Sequence, residues 1–403
     1  MAITINTEPN DVAPVYSDIT YVVTTTNQAQ PNFKFVAVIK NAAGTIIAKL
    51  KAPIFHGTTD KGVFNLSRIL QNYVTYDFSQ TTGTMAKCPN SYVVYTVEFG
   101  EEYGGTEYLN LASDKGPSDL GKYAWNGLFD LYGTETTATY KVDVPSSTPK
   151  FLTRVRTRRV TRAQYDYLYS LLVGFNATPK IIAYNAAGSV LATSQIKLPY
   201  SPGGSDLSDY LVRFGAGVVQ LNALTSGQLD TGTAGNVIPS GTAYYTIQIQ
   251  TGAGSPGSEL YRFDIVEECS KYAPQYLYFL NPLGGFESVR CGMASRDKYN
   301  VSRKQFKRNN YTLSGNNYAY DTSKHGLTNY AVEKTKEITL NTNFLNETEF
   351  EWLQDLIASP VVFLGNIPVN IVETSYDVFD DIDGPNNLKI TVQYTEPERL
   401  QNA

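Results

Sequence analysis

The chain has 403 residues, of which 42% are hydrophobic and only 18% are charged, and its formal net charge is −5. This charged fraction lies below the roughly 25% of an average protein, which excludes a charge-rich disordered chain or a coiled coil. The 30 Tyr and 18 Phe, set against 2 Trp, 2 His and 3 Cys, favour half-buried β-strands and leave few residues for metal binding or hydrolysis.

The N-terminal residues 1–9 contain no basic region followed by a long apolar run, so no secretory signal is predicted. No stretch of about 18 apolar residues occurs, so no membrane span is predicted either. We therefore expect the chain to be made and folded in the cytoplasm. Cys88, Cys269 and Cys291 are odd in number and widely spaced, which favours free buried thiols in a reducing compartment.

The chain contains a repeated segment, which is the strongest pattern in the sequence. Residues 34–48 and 180–192 each read as an apolar strand, an Asn-Ala-Ala-Gly turn and a second apolar strand. Gly44 and Gly188 would supply the positive φ of a hairpin turn. Further matches follow in the same order, so we predict two duplicated β-sandwich-like modules of about 110 residues each. The matched pairs are 51–53 with 197–199, 64–70 with 205–211, 95–97 with 245–247, and 122–124 with 271–273.

A second repeat joins residues 160–172 to residues 345–357 at a constant spacing. Each run begins at a capping residue, Thr161 or Asn346, and places apolar residues at i, i+3, i+6 and i+7. This spacing predicts an amphipathic helix of about three turns in both places. A proline follows each run, and strands are predicted over 180–184 and 361–364.

The pattern as a whole predicts a mainly β protein with short helices. It consists of tandem duplicated β-sandwich-like modules over 1–147 and 148–275, followed by a C-terminal α+β region over 276–403. The last region contains the second helix and a final strand pair at 369–375 and 387–394.

Two basic stretches are candidate interaction sites. In the first, alternation along a strand would turn Arg154, Arg156 and Arg158 to one side. Three readings stay open for it: a solvated edge strand, contact with an acidic neighbouring subunit, and contact with DNA phosphates. The second lies over 290–308, where aromatic residues are interleaved, and it favours phosphate-backbone or inter-subunit contact. The basic candidates are Arg154, Arg156, Arg158, Arg159, Arg162, Arg303, Lys304, Lys307 and Arg308.

An acidic segment near the C-terminus complements these stretches. It contains Asp377, Asp380, Asp381 and Asp383. An acidic hairpin tip, pairing with an arginine stretch of the next subunit, and a metal site are the three readings, although the Glu that completes an EF-hand is absent. Opposite charges at separate places in one chain fit a head-to-tail ring.

No catalytic residue, metal site or cofactor is predicted. His56 and His325 lie outside any zinc or Ser-His-Asp signature. A hydrolase that used an acid pair such as Asp60 and Glu98 has no spacing to support it.

Several segments resemble a family of virion proteins from tailed phages of Bacteroides-type hosts, including the crAss-like phages. The segments are 33–44, 62–70, 125–127, 151–153, 279–287 and 353–360. The resemblance implies a neck, tail-ring or tail-hub structural role and brings no catalytic residues with it.

We therefore expect a non-enzymatic structural subunit of a virion that forms a homo-oligomeric ring in the neck or tail. Its expected partners are portal, ring or tail subunits, with the packaged DNA backbone as a further candidate. The alternative is a glycan- or receptor-binding head fibre or adhesin, because Tyr and Trp stack on sugars.

Overall fold

A computed structural model describes residues 3–80, 84–129, 134–142, 149–172, 177–197, 211–251, 254–267, 271–323, 326–372, 387–396 and 398–399. The chain divides into two compact units. The first comprises residues 1–268 together with 280–288, and the second comprises residues 269–279 together with 289–403. Residues 280–288 thus belong with the first unit, although the sequence boundary placed them in the C-terminal region.

The first sandwich packs a three-stranded sheet, β1-β3-β6, against a larger sheet, β2-β10-β8-β4-β5, with β9 added to β8. Its strands, and two that serve the second sandwich, are β1 Thr4–Thr7, β2 Val12–Pro14, β3 Thr20–Thr24, β4 Lys34–Asn41, β5 Ile46–Ala52, β6 Lys61–Asn65, β7 Ala86–Lys87, β8 Tyr92–Tyr103, β9 Thr106–Asp114, β10 Lys122–Trp125 and β11 Lys141–Val142. Helix α1 covers Ser67–Leu70 and helix α2 covers Thr137–Tyr140. Both sheets contribute to one apolar core that includes Tyr21, Phe35 and Phe99.

The second sandwich packs the sheet β11-β13-β16-β7 against the sheet β12-β19-β18-β14-β15-β17. Its own strands are β12 Thr157–Val160, β13 Tyr167–Leu172, β14 Ala177–Tyr184, β15 Val190–Ile196, β16 Leu211–Gly215, β17 Leu229–Thr231, β18 Tyr244–Thr251 and β19 Tyr261–Ile265. Helix α3 covers Val218–Asn222. Phe151, Phe214 and Tyr245 lie in its core. Strands β7 and β11 come from the first 147 residues but belong to a sheet of the second sandwich. The predicted boundary between the modules is therefore crossed by these two strands.

The topology of the larger sheets confirms the duplication. In both, a short first strand runs parallel to the last one, β2 to β10 and β12 to β19. The remaining order is also the same, through β8 and β4 to β5 in one sheet and through β18 and β14 to β15 in the other. Gly44 and Gly188 adopt φ of 77° and 79° in the two hairpin turns, as the repeat predicted.

Two of the predicted matches need correction. The counterpart of β10 is β19, Tyr261–Ile265, so the match of 122–124 with 271–273 is wrong. The match of 95–97 with 245–247 lies on the right strands but two residues out of register, because Ile39 faces Val97 whereas its counterpart Ala183 faces Tyr245. The counterpart of helix α1, at 205–210, lies outside the described residues.

The helix predicted at 161–172 is also wrong, because the chain there forms strand β13. Residues 166–171 are all buried, so both faces of the strand pack against protein. A strand that is buried on both faces carries apolar residues at most positions. The spacing of apolar residues then cannot distinguish a strand from a helix.

The second unit is a sheet in which β20, β26, β27, β28, β25 and β22 are neighbours in that order. The strands are β20 Gln275–Leu280, β21 Phe286–Cys291, β22 Arg296–Lys307, β23 Tyr311–Ser314, β24 Asn317–Tyr320, β25 Leu327–Asn341, β26 Val362–Leu364, β27 Ile367–Ile371, β28 Lys389–Tyr394 and β29 Glu398–Arg399. The predicted C-terminal helix is confirmed as α4, Glu347–Ile357, and the predicted strands β26, β27 and β28 follow it. Leu353 and Leu356 are fully buried, and the Trp352 ring packs on Phe279.

Helix α4 begins at a full capping box. The Asn346 side chain accepts from the Glu349 backbone N–H at 2.8 Å, and the Asn346 N–H donates to the Glu349 carboxylate at 3.1 Å. Asn346→Ala is expected to lower the free energy of unfolding by about 1 kcal/mol because the Glu349 N–H loses its side-chain acceptor. Urea unfolding measures this against Gln354→Ala, an exposed change within the same helix. Equal stability of the two variants would contradict the role of the cap.

A buried lysine in the first sandwich gives a pH-dependent stability. Lys122 is 2% exposed, and its ammonium lies 2.9 Å from a carboxylate oxygen of Asp114, which also accepts from the Tyr21 hydroxyl at 2.7 Å. Burial opposes ionisation of Asp114, but the hydrogen bonds from Lys122, from the Gly116 N–H and from Tyr21 outweigh it and lower the pKa of this carboxyl.

A lowered pKa in the folded state stabilises the fold above the unfolded pKa of about 3.9, and this stabilisation is lost as the pH falls through the folded pKa. Asp114→Asn should therefore cost about 1–3 kcal/mol at neutral pH and progressively less below about pH 4. Urea unfolding over this range measures the difference, with Asp230→Asn, an exposed carboxyl, as control. A difference for Asp114→Asn that does not change with pH would contradict the linkage.

Candidate interaction surface

A two-stranded arm extends from the sheet of the second unit. Strands β22 and β25 are antiparallel. Their first pair joins Arg296 to Thr339, and their last pair joins Lys307 to Leu327. The twelve residues of β22 span about 40 Å. Strand β28 pairs with β25 only at 337–341, and β29 pairs with it only at 333–334. Over residues 303–332, which we call the arm, no third strand of the described chain pairs with the ribbon. All of β22 is exposed.

The positive charges at the base of the arm have partners of opposite sign. Lys298 lies 3.3 Å from Glu337, and Lys336 lies 3.0 Å from Asp297. Further out, the four basic candidates of the second stretch are exposed, and none forms an ion pair with a described residue. They are Arg303, Lys304, Lys307 and Arg308. The structure thus brings these four together as a charged shaft.

The tip of the arm is apolar and carries no charge. Strands β23 and β24 form a hairpin around Gly315, which adopts φ of 62°. Leu313, Tyr318 and Tyr320 are 73%, 71% and 69% exposed. Residues 309–320 contain no Lys, Arg, Asp or Glu. The arm therefore has two chemical parts, a basic shaft and a neutral tip that presents large side chains to solvent.

The first arginine stretch does not form the expected row of Arg154, Arg156 and Arg158 on one exposed face. Strand β12 begins only at Thr157, and Arg158, which was expected to face outward beside Arg154 and Arg156, is buried. Its guanidinium lies 3.0 Å from Asp166 and 2.6 Å from Glu287, and it also donates to the Thr153 hydroxyl at 2.6 Å. Both carboxylates are almost completely buried. The prediction that Arg158 is an interface or DNA-facing residue is therefore wrong.

The other arginines of this stretch differ in their surroundings. Arg154, Arg156 and Arg159 are exposed. Arg156 lies 3.3 Å from Glu259. Arg162 contacts Glu267 at 3.2 Å and donates to backbone carbonyls of the 239–242 loop, which fixes this loop to the end of β12. These side chains do not converge on one site.

Residues 280–288, which we call the crossing segment, join the two sandwiches. The Trp125 indole donates to the Leu283 carbonyl at 3.1 Å, and the Leu128 N–H donates to the Pro282 carbonyl at 2.7 Å, both on the side of the first sandwich. On the side of the second, the Asn281 side chain donates to the Leu152 carbonyl at 2.8 Å. Together with the ion pair from Glu287 to Arg158, these bonds hold the first unit together.

The acidic candidates Asp377, Asp380, Asp381 and Asp383 lie outside the described residues. Within the described ranges, no group of three or more His, Cys, Asp or Glu side chains is placed to hold a metal ion. In the same ranges no helix is long and apolar enough to cross a membrane. Cys88 and Cys291 are free and buried, and burial raises the pKa of the Cys291 thiol to about 12.

Sequence reasoning singled out the basic residues of the shaft but missed the arm itself. The available signal was the Gly315-Asn316 pair between two short runs with Tyr or Leu at alternate positions, which is a hairpin signature. The crossing segment carried no such signal, because its contacts join residues that lie more than a hundred positions apart.

Comparison with known proteins places the chain in no family. No protein-family model matches it, and no curated protein matches it. Among solved structures, it is similar to the crystal structure of dimeric latent PorU from Porphyromonas gingivalis, with 8% identity and a TM-score of 0.19. This alignment covers 84% of the present chain and 32% of the PorU chain, so the chain spans about a third of that structure.

Proposed function

We propose that the chain is a non-enzymatic structural subunit of a tailed-phage virion. In this role it forms a homo-oligomeric ring in the neck or tail and contacts portal, ring or tail subunits and the DNA in the channel. The arm is the observation that carries the proposal, and the sequence resemblance to virion proteins supports it.

The arm is better suited to binding another subunit than to stabilising the fold of its own chain. A two-stranded ribbon is at best marginally stable by itself in water, because it has no core of its own. The arm nevertheless holds several large side chains of which nearly half or more is exposed, among them Phe306, Leu327 and Tyr330. Exposed apolar patches beside charged residues mark protein–protein contact sites. A contact with another subunit would bury these side chains and order the ribbon.

The first unit suits a rigid building block. Its two sandwiches, whose larger sheets have the same strand order, are joined by the crossing segment, and β7 and β11 from the first 147 residues complete a sheet of the second sandwich, so their relative position is fixed. Rigid subunits can form a head-to-tail interface, and such an interface closes into a ring when its rotation allows.

Sedimentation velocity of the purified chain, together with immunogold labelling of particles, tests this function. We expect closed oligomers at micromolar concentration and label on the particle axis at the neck or tail. A chain that is absent from purified particles would overturn the proposal.

The second candidate function is a glycan-binding adhesin, which is favoured by the three exposed tyrosines at the arm tip, Tyr311, Tyr318 and Tyr320. Aromatic faces stack on sugar rings, so Tyr318→Ser would weaken binding to host polysaccharide. A pull-down on purified host polysaccharide separates the two functions. Retention of the wild-type chain, lost in Tyr318→Ser, would favour the adhesin.

A further inference from the structure

We infer that the arm docks onto a second copy of this chain. It contacts the part of that copy outside residues 303–332, which we call the body. The neutral tip fills an apolar pocket of the body, called the seat below, and the basic shaft lies against acidic side chains. The inference rests on the proposed function, for which it names the partner and the contact element.

Charge complementarity within the chain points to a second copy. Residues 303–332 contain five Lys or Arg and one Asp, so the arm carries a net charge of +4. Because the whole chain carries −5, the remainder carries −9. Each copy therefore presents a positive arm and a negative body, and complementary potentials of this kind steer association and select against wrong orientations.

The neutral tip favours protein over nucleic acid as the occupant. A surface that tracks a nucleic-acid backbone needs positive charge along its length. The outermost part of the arm, residues 309–320, has none, although Leu313, Tyr318 and Tyr320 are the most exposed large apolar side chains of the arm. Leu313 is aliphatic and offers no stacking face. In protein interfaces, large apolar side chains commonly fill a central pocket while charged residues surround it. The apolar tip and the basic shaft fit this arrangement.

The same charges decide the direction of the contact. If two arms packed side by side, the four basic residues of one shaft would face the same four residues of the other, and like charges repel. These residues are Arg303, Lys304, Lys307 and Arg308. Arm against body avoids this repulsion and gives a heterologous contact. The outer edge of β22 pairs with no described strand, so its backbone groups are also available to the partner.

A chain without the arm tests the inference most sharply. Residues 303–332 are replaced by Asn-Gly, which joins Ser302 to Glu333, a directly paired position of the ladder. The body should stay folded, because none of the described residues of the arm is buried. Alone, the armless chain should sediment as a monomer. Mixed with the wild-type chain, it should form complexes, because its seat still accepts a wild-type arm.

Point variants separate the two parts of the arm. Leu313→Ser with Tyr318→Ser and Tyr320→Ser should weaken self-association at least about tenfold at all salt concentrations. Reversal of the four shaft charges to Glu should weaken it strongly in low salt and less in high salt. Ile46→Ser with Val190→Ser and Leu260→Ser, which are 59%, 57% and 52% exposed, is the control for the tip. Lys34, Lys61, Arg68 and Lys389, all exposed and all changed to Glu, control the charge reversal.

Several results would overturn the inference. They are a wild-type chain that stays monomeric, an armless chain that assembles like wild type, and an armless chain that does not bind wild type. Shaft variants that lose binding to a labelled single-stranded or duplex DNA while their oligomer size is unchanged would assign the arm to nucleic acid instead. The proposed function is contradicted by a different result, the absence of the chain from purified particles. A failure of the inference can therefore be distinguished from a failure of the proposed function.

Discussion

Arg158→Met is expected to lower the free energy of unfolding of the first unit by about 3–5 kcal/mol. The guanidinium is the counter-charge of two carboxylates, Asp166 and Glu287, which are 0% and 1% exposed. Removal of the positive charge leaves both carboxylates buried without compensation, and water cannot reach them. Because Glu287 lies in the crossing segment, the loss should also loosen the junction of the two sandwiches. Urea unfolding followed by Trp fluorescence measures the change.

Arg156→Met is the matched control, because it makes the same chemical change two residues earlier in the chain. Arg156 has 60% of its side chain exposed and pairs with Glu259 at 3.3 Å, so its loss should cost no more than about 1 kcal/mol. Asp166→Asn and Glu287→Gln, added to Arg158→Met, should recover part of the loss by removing the uncompensated charges. Similar effects of Arg158→Met and Arg156→Met would show that the buried cluster does not hold the unit together.

Gly284→Ala should destabilise the first unit by about 2–4 kcal/mol, which combines a left-handed backbone with overpacking. Gly284 adopts φ of 90°, and a Cβ atom there would lie 1.9 Å from the carbonyl oxygen of Asn126. This backbone cannot yield easily, because the neighbouring Trp125 donates to Leu283 in the same contact. The substitution should therefore lift the crossing segment from the first sandwich.

Gly44→Ala separates the two causes. Gly44 adopts φ of 77°, but no atom lies within 4 Å of an added Cβ, so only the conformational cost of about 1–2 kcal/mol remains. Thermal unfolding of both variants gives the comparison. If Gly284→Ala costs no more than Gly44→Ala, the close approach at Asn126 does not matter for stability.

The sequence predicted the repeated parts of the fold best. The Asn-Ala-Ala-Gly hairpins and helix α4 depend on interactions between residues a few positions apart, and such interactions leave a local pattern. Helix α4 keeps Glu351 and Gln354 exposed opposite Leu353 and Leu356, so its period is visible.

Strand β13 shows where local patterns fail. Leu168 and Leu171 fit a helical spacing, but their neighbours Tyr167, Tyr169 and Ser170 are buried too. Burial on both faces removes the contrast between apolar and polar positions from which the period is read. Only the tertiary context, with β11 and β16 on either side, decides for a strand.

The candidate site was predicted in part for a related reason. A charge count along the chain treats Arg158 and Arg303 alike, because both lie in basic stretches with few acids nearby in sequence. Arg158 has one acidic partner near in sequence, Asp166, but the other, Glu287 in the crossing segment, is 129 positions away, so the sequence does not indicate the burial of the cluster. Arg303 has no such partner among the described residues, and its position on a ribbon without a third strand makes it available to another molecule.

Electron microscopy of the purified wild-type and armless chains tests the central claim most directly. The claim is that the protein is a ring subunit whose arm makes the contact between neighbours. We predict closed rings of uniform diameter for the wild-type chain, with density for the arm crossing each subunit boundary, and single particles of monomer size for the armless chain. Rings of the same diameter from both chains, or monomers from both, would contradict it.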